Sequence, residues 1–187
     1  MAFECSISDW GAESAECLRS DDGRSHFVIV PVGHDPDISH SYFLFVNLAP
    51  CVTGDGDELA FCINEYDADG NQYEIWSSEA VAKKIGSADR AKILAVLVAA
   101  IAALIEIREP AKITMCMFEP ATSQAPLRKY VAILRKVESM GYRISAPDVY
   151  HGQRLWWMER QKPAVIDKLD DDAFIAPSNL GDDHGSR

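Results

Sequence analysis

The sequence predicts a mixed α/β (α+β) fold in which an antiparallel β-meander is followed by helix, strand, helix and closing strands. Three observations predict it. Short runs rich in β-branched and aromatic residues alternate with Gly/Asp-rich turns in the first half of the chain. A long apolar run of helical length follows, and a later segment repeats apolar residues at three- and four-residue spacing. These patterns predict one domain over residues 1–162.

The meander is predicted from four strand-like runs, at residues 26–32, 42–48, 59–64 and 73–77. Asp and Gly in the connections tolerate positive φ, so neighbouring runs are expected to pair antiparallel. The loop at residues 65–71 has carboxylates spaced like the start of a calcium loop, but its twelfth position is Trp76 and not a bidentate Glu. A hairpin turn is therefore predicted there.

A central helix is predicted from Ser87, as N-cap, to about Arg108, where Glu109-Pro110 stops it. Residues 93–105 are uninterrupted Ile, Leu, Val and Ala. A bilayer span needs about 20 apolar residues. The shorter run therefore predicts a helix buried in the protein core, and no membrane span.

The rest of the domain is predicted as a strand at 112–118, a helix opening at Ala125-Pro126 and ending near Gly141, and closing strands at 142–145 and 153–159. Residues 163–187 are predicted to form a mobile acidic tail. The predicted buried face of the second helix consists of Leu127, Tyr130, Val131, Leu134 and Val137.

The composition limits the function classes. The chain has 29 Asp plus Glu against 18 Lys plus Arg, and a pI near 4.8. This balance argues against general nucleic-acid binding and against adsorption to an anionic membrane, which need a basic face. The five cysteines form no CxxC pair, the histidines show no metal-ligand spacing and the N-terminus has no secretory pattern. A cytoplasmic protein without a metal is expected.

The turn before the central helix reads Lys83-Lys84-Ile85-Gly86-Ser87-Ala88. With the surrounding order of elements, it resembles the GNAT superfamily of N-acetyltransferases, in which a meander leads into a pyrophosphate-binding turn at a helix start. The family's turn begins with Gln or Arg, where this chain has Lys83. The resemblance implies a three-layer arrangement with a buried central helix. It also implies acetyl-CoA or another acyl-CoA as cofactor, held by Lys83, Lys84, Gly86, Ser87 and Ala88. The alternative is a simple helix N-cap preceded by solvated lysines.

The same resemblance implies catalytic residues. Tyr130 would protonate the leaving thiolate, and Glu65 or Glu74 would relay a proton from the substrate amine. The chain departs from the family in two ways: the helix around Tyr130 is longer by about two turns, and the two helices that precede the family's meander have no clear counterpart. The alternative for Tyr130 is a core or rim tyrosine.

A second function class follows from the aromatic segment at residues 150–160. Trp156 and Trp157 must face opposite sides of a strand, so one is exposed unless both sheet faces are covered. Aromatic residues with Arg commonly anchor interfaces. An acidic, non-catalytic inhibitor, immunity or adaptor protein, including a mimic of nucleic-acid charge, would bind a basic protein partner. Its predicted interface residues are Tyr150, Arg154, Trp156 and Trp157.

Overall fold

The computed structural model describes residues 3–7, 16–52, 54–117, 127–145, 148–150 and 153–161, which contain ten strands and three helices. The helices are α1 Ser78–Lys84, α2 Ser87–Arg108 and α3 Leu127–Ser139. The strands are β1 Glu4–Cys5, β2 Cys17–Arg19, β3 His26–Asp35, β4 His40–Pro50, β5 Asp57–Tyr66, β6 Gln72–Ile75, β7 Lys112–Cys116, β8 Tyr142–Ile144, β9 Asp148–Tyr150 and β10 Gln153–Arg160.

All ten strands form one sheet with the order β1-β3-β4-β5-β7-β10-β8; β2 pairs with β3, β6 with β5 and β9 with β10. The pairs are antiparallel except β5–β7, which is parallel and is joined through α1 and α2. The β3–β4–β5–β6 series confirms the predicted meander, and β5–β6 confirms the hairpin predicted at the acidic loop. The mixed α/β fold class is therefore confirmed.

Two strands share one edge of β5. β7 pairs with the first part of β5, from Asp57 to Leu59, whereas β6 pairs with its last part, from Ile63 to Tyr66. Because β4 occupies the other edge along the whole of β5, β6 and β7 lie on the same side. β6 thus fills the edge of β5 beyond the point where the pairing with β7 ends.

The sheet has an apolar inner face that the helices cover. Alternate residues of β3 and β4, such as Val28 and Leu44, are almost fully buried and belong to one core cluster with α2 and α3. Tyr130 of α3 stacks on Trp156 of β10 within that cluster. The opposite, outer face carries no helix among the described residues, so the described structure has two layers.

α2 is the buried helix that the sequence predicts, with eight buried residues between Ile93 and Ile105. Its N-cap is Gly86 and not Ser87, because the Arg90 amide donates to the Gly86 carbonyl and Gly86 has extended backbone angles. Within the described residues, no helix has the length and apolar character needed to cross a membrane.

Two ion pairs fix the flanks of α2. At its end, Arg108 donates to the Asp57 carboxylate over 2.6 Å. Just before its start, the Lys84 ammonium donates to Glu65 over 2.7 Å. Asp57 and Glu65 lie near opposite ends of β5. The helix is therefore held against the middle of the sheet at both ends.

The helix α1 is not predicted from the sequence. The fourth strand ends at Ile75, and Ser77 caps α1 by accepting hydrogen bonds from the amides of Glu79 and Ala80. The side-chain cap starts a seven-residue helix where the sequence suggested strand and turn. Lys83 and Lys84 consequently form the last turn of α1.

α3 follows the prediction with one correction. Tyr130 and Val137 are buried as expected, but Val131 is 42% exposed and Ile133 takes its place in the core. At 100° per residue, Ile133 lies on the same helix face as Tyr130 and Val137, whereas Val131 turns away. β7, β8 and β10 confirm the later strands. The predicted opening of α3 at Ala125-Pro126, the strand end at Phe118 and the tail at 163–187 lie outside the described residues.

We expect Ile101→Ala to lower the free energy of unfolding by about 2–5 kcal/mol, because Ile101 is fully buried and truncation leaves a cavity. Ile107→Ala in the same helix is the matched control: Ile107 is 55% exposed, and its truncation should change stability by less than about 0.5 kcal/mol. Urea unfolding measures both values. Equal losses would contradict the placement of α2.

Candidate functional site

One buried carboxylate collects three polar partners near the end of β5. Glu65 lies on the inner face and is 5% exposed. Its Oε1 atom accepts hydrogen bonds from Lys84 Nζ at 2.7 Å and Tyr42 OH at 3.0 Å, and it lies 2.7 Å from His40 Nδ1. The cluster joins β4, β5 and the last turn of α1.

These contacts set the protonation of the cluster. Burial alone would raise the pKa of Glu65, but the hydrogen bonds of Lys84, His40 and Tyr42 outweigh it and hold that pKa below its ordinary value. Burial, and then the Glu65 carboxylate, raises the pKa of Tyr42. A general base works best with a pKa near the operating pH. The contacts of Glu65 therefore favour a structural ion pair over a proton relay.

The predicted anion-binding turn is partly occupied by the protein's own charges. Lys83 forms an exposed ion pair with Glu79, and Lys84 is bound to Glu65. Gly86 caps α2 without a side chain, and a Cβ placed on it would meet only the Asp89 carboxylate, at 4.0 Å. The helix start, which includes Ser87 and Ala88, is thus sterically open. Asp89 nevertheless places a negative charge where an anion would bind.

The other predicted catalytic residues do not gather around Glu65. Glu74 lies on β6 opposite Asn64, so it is on the outer face, and its Oε2 accepts a hydrogen bond from Trp76 Nε1. Tyr130 is buried, stacks on Trp156 with ring centroids 4.9 Å apart, and has the Lys129 ammonium 4.9 Å from its ring centroid. Tyr130 has the environment of a core tyrosine.

The four predicted interface residues also divide between the two faces. Trp156 faces the core and is 4% exposed, whereas Trp157 is on the outer face and 39% exposed. Arg154 is half-buried, and its carbonyl accepts a hydrogen bond from the Met117 amide. Tyr150 lies in β9, and its side chain is outside the described residues. Of these two tryptophans, Trp157 is the one whose side chain is exposed.

The outer face is rich in aromatic side chains, and no helix of the described residues covers it. On β3 and β4, the Phe27 and Phe45 rings pack with centroids 5.9 Å apart, and Ile29, opposite Phe45, is 45% exposed. Phe43 packs edge-to-face on Tyr66 of β5. Apolar side chains thus extend across three neighbouring strands, and Trp157 adds another on β10. Apolar side chains left exposed on one face are candidates for an interaction site.

Two carboxylates also lie on the outer face. Burial raises the pKa of the Cys116 thiol and raises that of Cys62 to about 12. The negative charge of Glu58 on β5 adds to the effect at Cys116, and that of Glu74 on β6 adds to the effect at Cys62. Neither carboxylate forms an ion pair with a described residue. Thiols with raised pKa values are poor nucleophiles. No group of three metal-ligating side chains occurs in the part of the chain that the structure describes.

The sequence interpretation missed the β3–β4 part of this surface, although a signal was present. Residues 27–32 are apolar at nearly every position, which is typical of a strand with apolar groups on both faces. The pairing of β3 with β4 then separates Val28 and Val30, in the core, from Phe27 and Ile29 outside. The partners of Glu65, in contrast, gave no signal in the sequence, because His40 and Tyr42 are more than twenty residues away along the chain.

We expect Glu65→Gln to lower the free energy of unfolding at pH 7 by about 2–4 kcal/mol, because it leaves the Lys84 charge without its carboxylate. Glu79→Gln removes the exposed partner of Lys83 and should cost less than about 1 kcal/mol. Urea unfolding of both variants and the unaltered protein compares a buried pair with an exposed one.

The direction in which this stability difference changes with pH follows from the pKa of Glu65. The folded-state pKa of Glu65 lies below its ordinary value of 4.5, so its stabilisation is present above that value and is lost as the pH falls through the folded-state pKa. The difference between Glu65→Gln and the unaltered protein should therefore shrink on acidification. A difference that stays constant from neutral pH to about pH 3, well below that ordinary value, would contradict a charged Glu65.

Comparisons of this chain with protein-family models, with curated proteins and with solved structures found no match.

Proposed function

We propose that this chain is a non-catalytic binding protein that contacts a protein partner through the outer face of its sheet. The observation that carries the proposal is the exposure of Ile29 and Trp157 on a sheet face that is lined with aromatic rings and uncovered by any described helix. A sheet face with this composition is normally buried against another layer. A partner supplies that layer here.

The charge of the chain indicates the kind of partner. The formal net charge is −11, and Glu58 and Glu74 add local negative charge to the outer face. Acidic surfaces accelerate association with basic proteins and repel acidic ones. The proposed partner therefore presents a basic surface with apolar groups.

The predicted catalytic groups take part in structural contacts, and this supports a non-catalytic role. Glu65 is held in an ion pair with Lys84, and Tyr130 is stacked in the core. Glu74 faces the opposite side of the sheet from Glu65. These groups stabilise the fold at positions where catalysis would need them free and close together.

The double variant Ile29→Ala/Trp157→Ala should lose most of its partner binding in capture experiments from cell extract. Truncating buried interface anchors commonly costs about 2 kcal/mol or more, which is roughly a 30-fold loss of affinity. The matched control is Ile107→Ala/Val131→Ala, which removes two similarly exposed apolar side chains from α2 and α3.

Both variants should remain folded by circular dichroism, since all four side chains lie at the surface, with 39–55% of each exposed. Quantitative mass spectrometry of the captured proteins compares them with the unaltered chain. Loss of the same partners in both variants, or in neither, would contradict binding through the outer face.

A second candidate function is acyl-CoA binding on a GNAT-like arrangement. It is favoured by the open backbone cap at Gly86, where amide donors at the start of α2 are sterically accessible. The order of meander, helix, strand, helix and closing strands also agrees with the resemblance, although α1 is added after the meander and includes Lys83 and Lys84 of the predicted turn. The ion pair of Lys84 and the carboxylate of Asp89 weigh against it.

Titration calorimetry with acetyl-CoA and with CoA tests this candidate. If the chain binds acyl-CoA, the titration should give saturable heat. Gly86→Trp should abolish that heat, because the indole would cover the amides at the start of α2. The substitution is tolerated by the fold, since Gly86 has φ −62 and open space around its Cβ position. No heat at millimolar ligand would exclude acyl-CoA binding at this turn.

A further inference from the structure

We propose that the partner protein binds the outer face through a basic amphipathic helix. Its apolar stripe would lie on the aromatic side chains of β3 and β4, and Lys or Arg residues on one flank would reach Glu58 and Glu74. This inference rests on the proposed protein-binding function and adds the chemistry and shape of the bound element.

The apolar part of the outer face has the dimensions of a helix stripe. Phe27 and Ile29 of β3 lie beside Phe43 and Phe45 of β4, and Phe45 is paired with Cys62 of β5. Neighbouring strands are about 4.8 Å apart, so these three strands span roughly 10 Å, close to the diameter of a helix with its side chains. Packing a helix on a sheet face is one of the standard ways to bury both apolar surfaces.

The two carboxylates lie toward the same side of this apolar strip, Glu58 on its last strand, β5, and Glu74 on the neighbouring strand β6. Glu58 is on β5 opposite Ala49 of β4, and Glu74 is on β6 opposite Asn64, which itself pairs with Phe43. Residues 58 and 64 are six positions apart on one strand, or roughly 20 Å. A helix rises 1.5 Å per residue, so it needs about 13 residues to bring one basic side chain to each carboxylate.

The pattern of charge favours a basic partner over a second copy of this chain. A face-to-face dimer has a two-fold axis in its interface, so each copy presents the same patch to the other. With the axis near β5, Glu58 and Glu74 would approach carboxylates of the second copy, and like charges in a contact are unfavourable. A basic helix instead meets them with opposite charge.

A synthetic 21-residue Leu/Lys amphipathic helix is a suitable probe, with an otherwise identical Leu/Glu helix as comparison. Fluorescence anisotropy of the labelled peptides gives their dissociation constants for the full chain. The Leu/Lys peptide should bind, and the Leu/Glu peptide should bind at least about tenfold more weakly. Affinity for the Leu/Lys peptide should fall as salt is added.

Matched charge variants locate the binding. Glu58→Gln/Glu74→Gln should weaken binding of the Leu/Lys peptide by about threefold to tenfold. The control Glu106→Gln/Glu138→Gln removes the same charge from exposed positions on α2 and α3, and it should change the affinity by less than about twofold. Equal effects of the two double variants would show that net charge alone attracts the peptide, and this would overturn the proposal. Similar affinities for the two peptides, or no binding of the Leu/Lys peptide, would also overturn it.

The apolar variant Ile29→Ser/Trp157→Ser separates this proposal from the proposed function. It should abolish both peptide binding and partner capture. If it abolishes capture while the Leu/Lys peptide does not bind the unaltered chain, the outer face remains the interface but the basic helix is wrong. If capture and peptide binding both survive it, both proposals fail. A dimer by sedimentation equilibrium that this variant dissociates would assign the face to a second copy and overturn the basic helix.

Discussion

The burial of α2 against the inner face of the sheet is the constraint on which the rest of the structure depends. The helix is apolar around most of its circumference, so it needs the sheet on one side and α3 beside it to leave water. Its flanks carry the charges that orient it: Lys84 binds Glu65, and Arg108 binds Asp57. Since both carboxylates belong to β5, one strand fixes the helix at two points.

Several polar groups that the sequence offers as functional candidates are engaged within the scaffold. The buried carboxylate of Glu65 is committed to Lys84, and the start of α2 carries the negative charge of Asp89. β6 completes the hydrogen bonding of β5 where β7 has stopped, so this edge of β5 is closed by the chain itself. These interactions position α1 and α2 on the sheet and stabilise the fold.

The outer face has the opposite character. Its aromatic rings pack on one another across β3, β4 and β5, and its carboxylates, Glu58 and Glu74, form no ion pair with a described residue. Apolar area gives binding energy when a partner removes it from water, and charge selects the partner and speeds the encounter. Both are present on one surface of an acidic chain, which is the basis for the proposal that this face binds a partner.

The sequence by itself determined the meander, the buried helix α2 and the later strand–helix–strand series, because periodicity and turn residues act over a few neighbouring positions. It also determined that Trp156 and Trp157 face opposite sides of a strand. Only the tertiary structure decided which of them is exposed, that Lys84 reaches Glu65, and that β3 and β4 present their aromatic residues outward. Such outcomes depend on strand register and on contacts between residues distant in sequence, which no local pattern encodes.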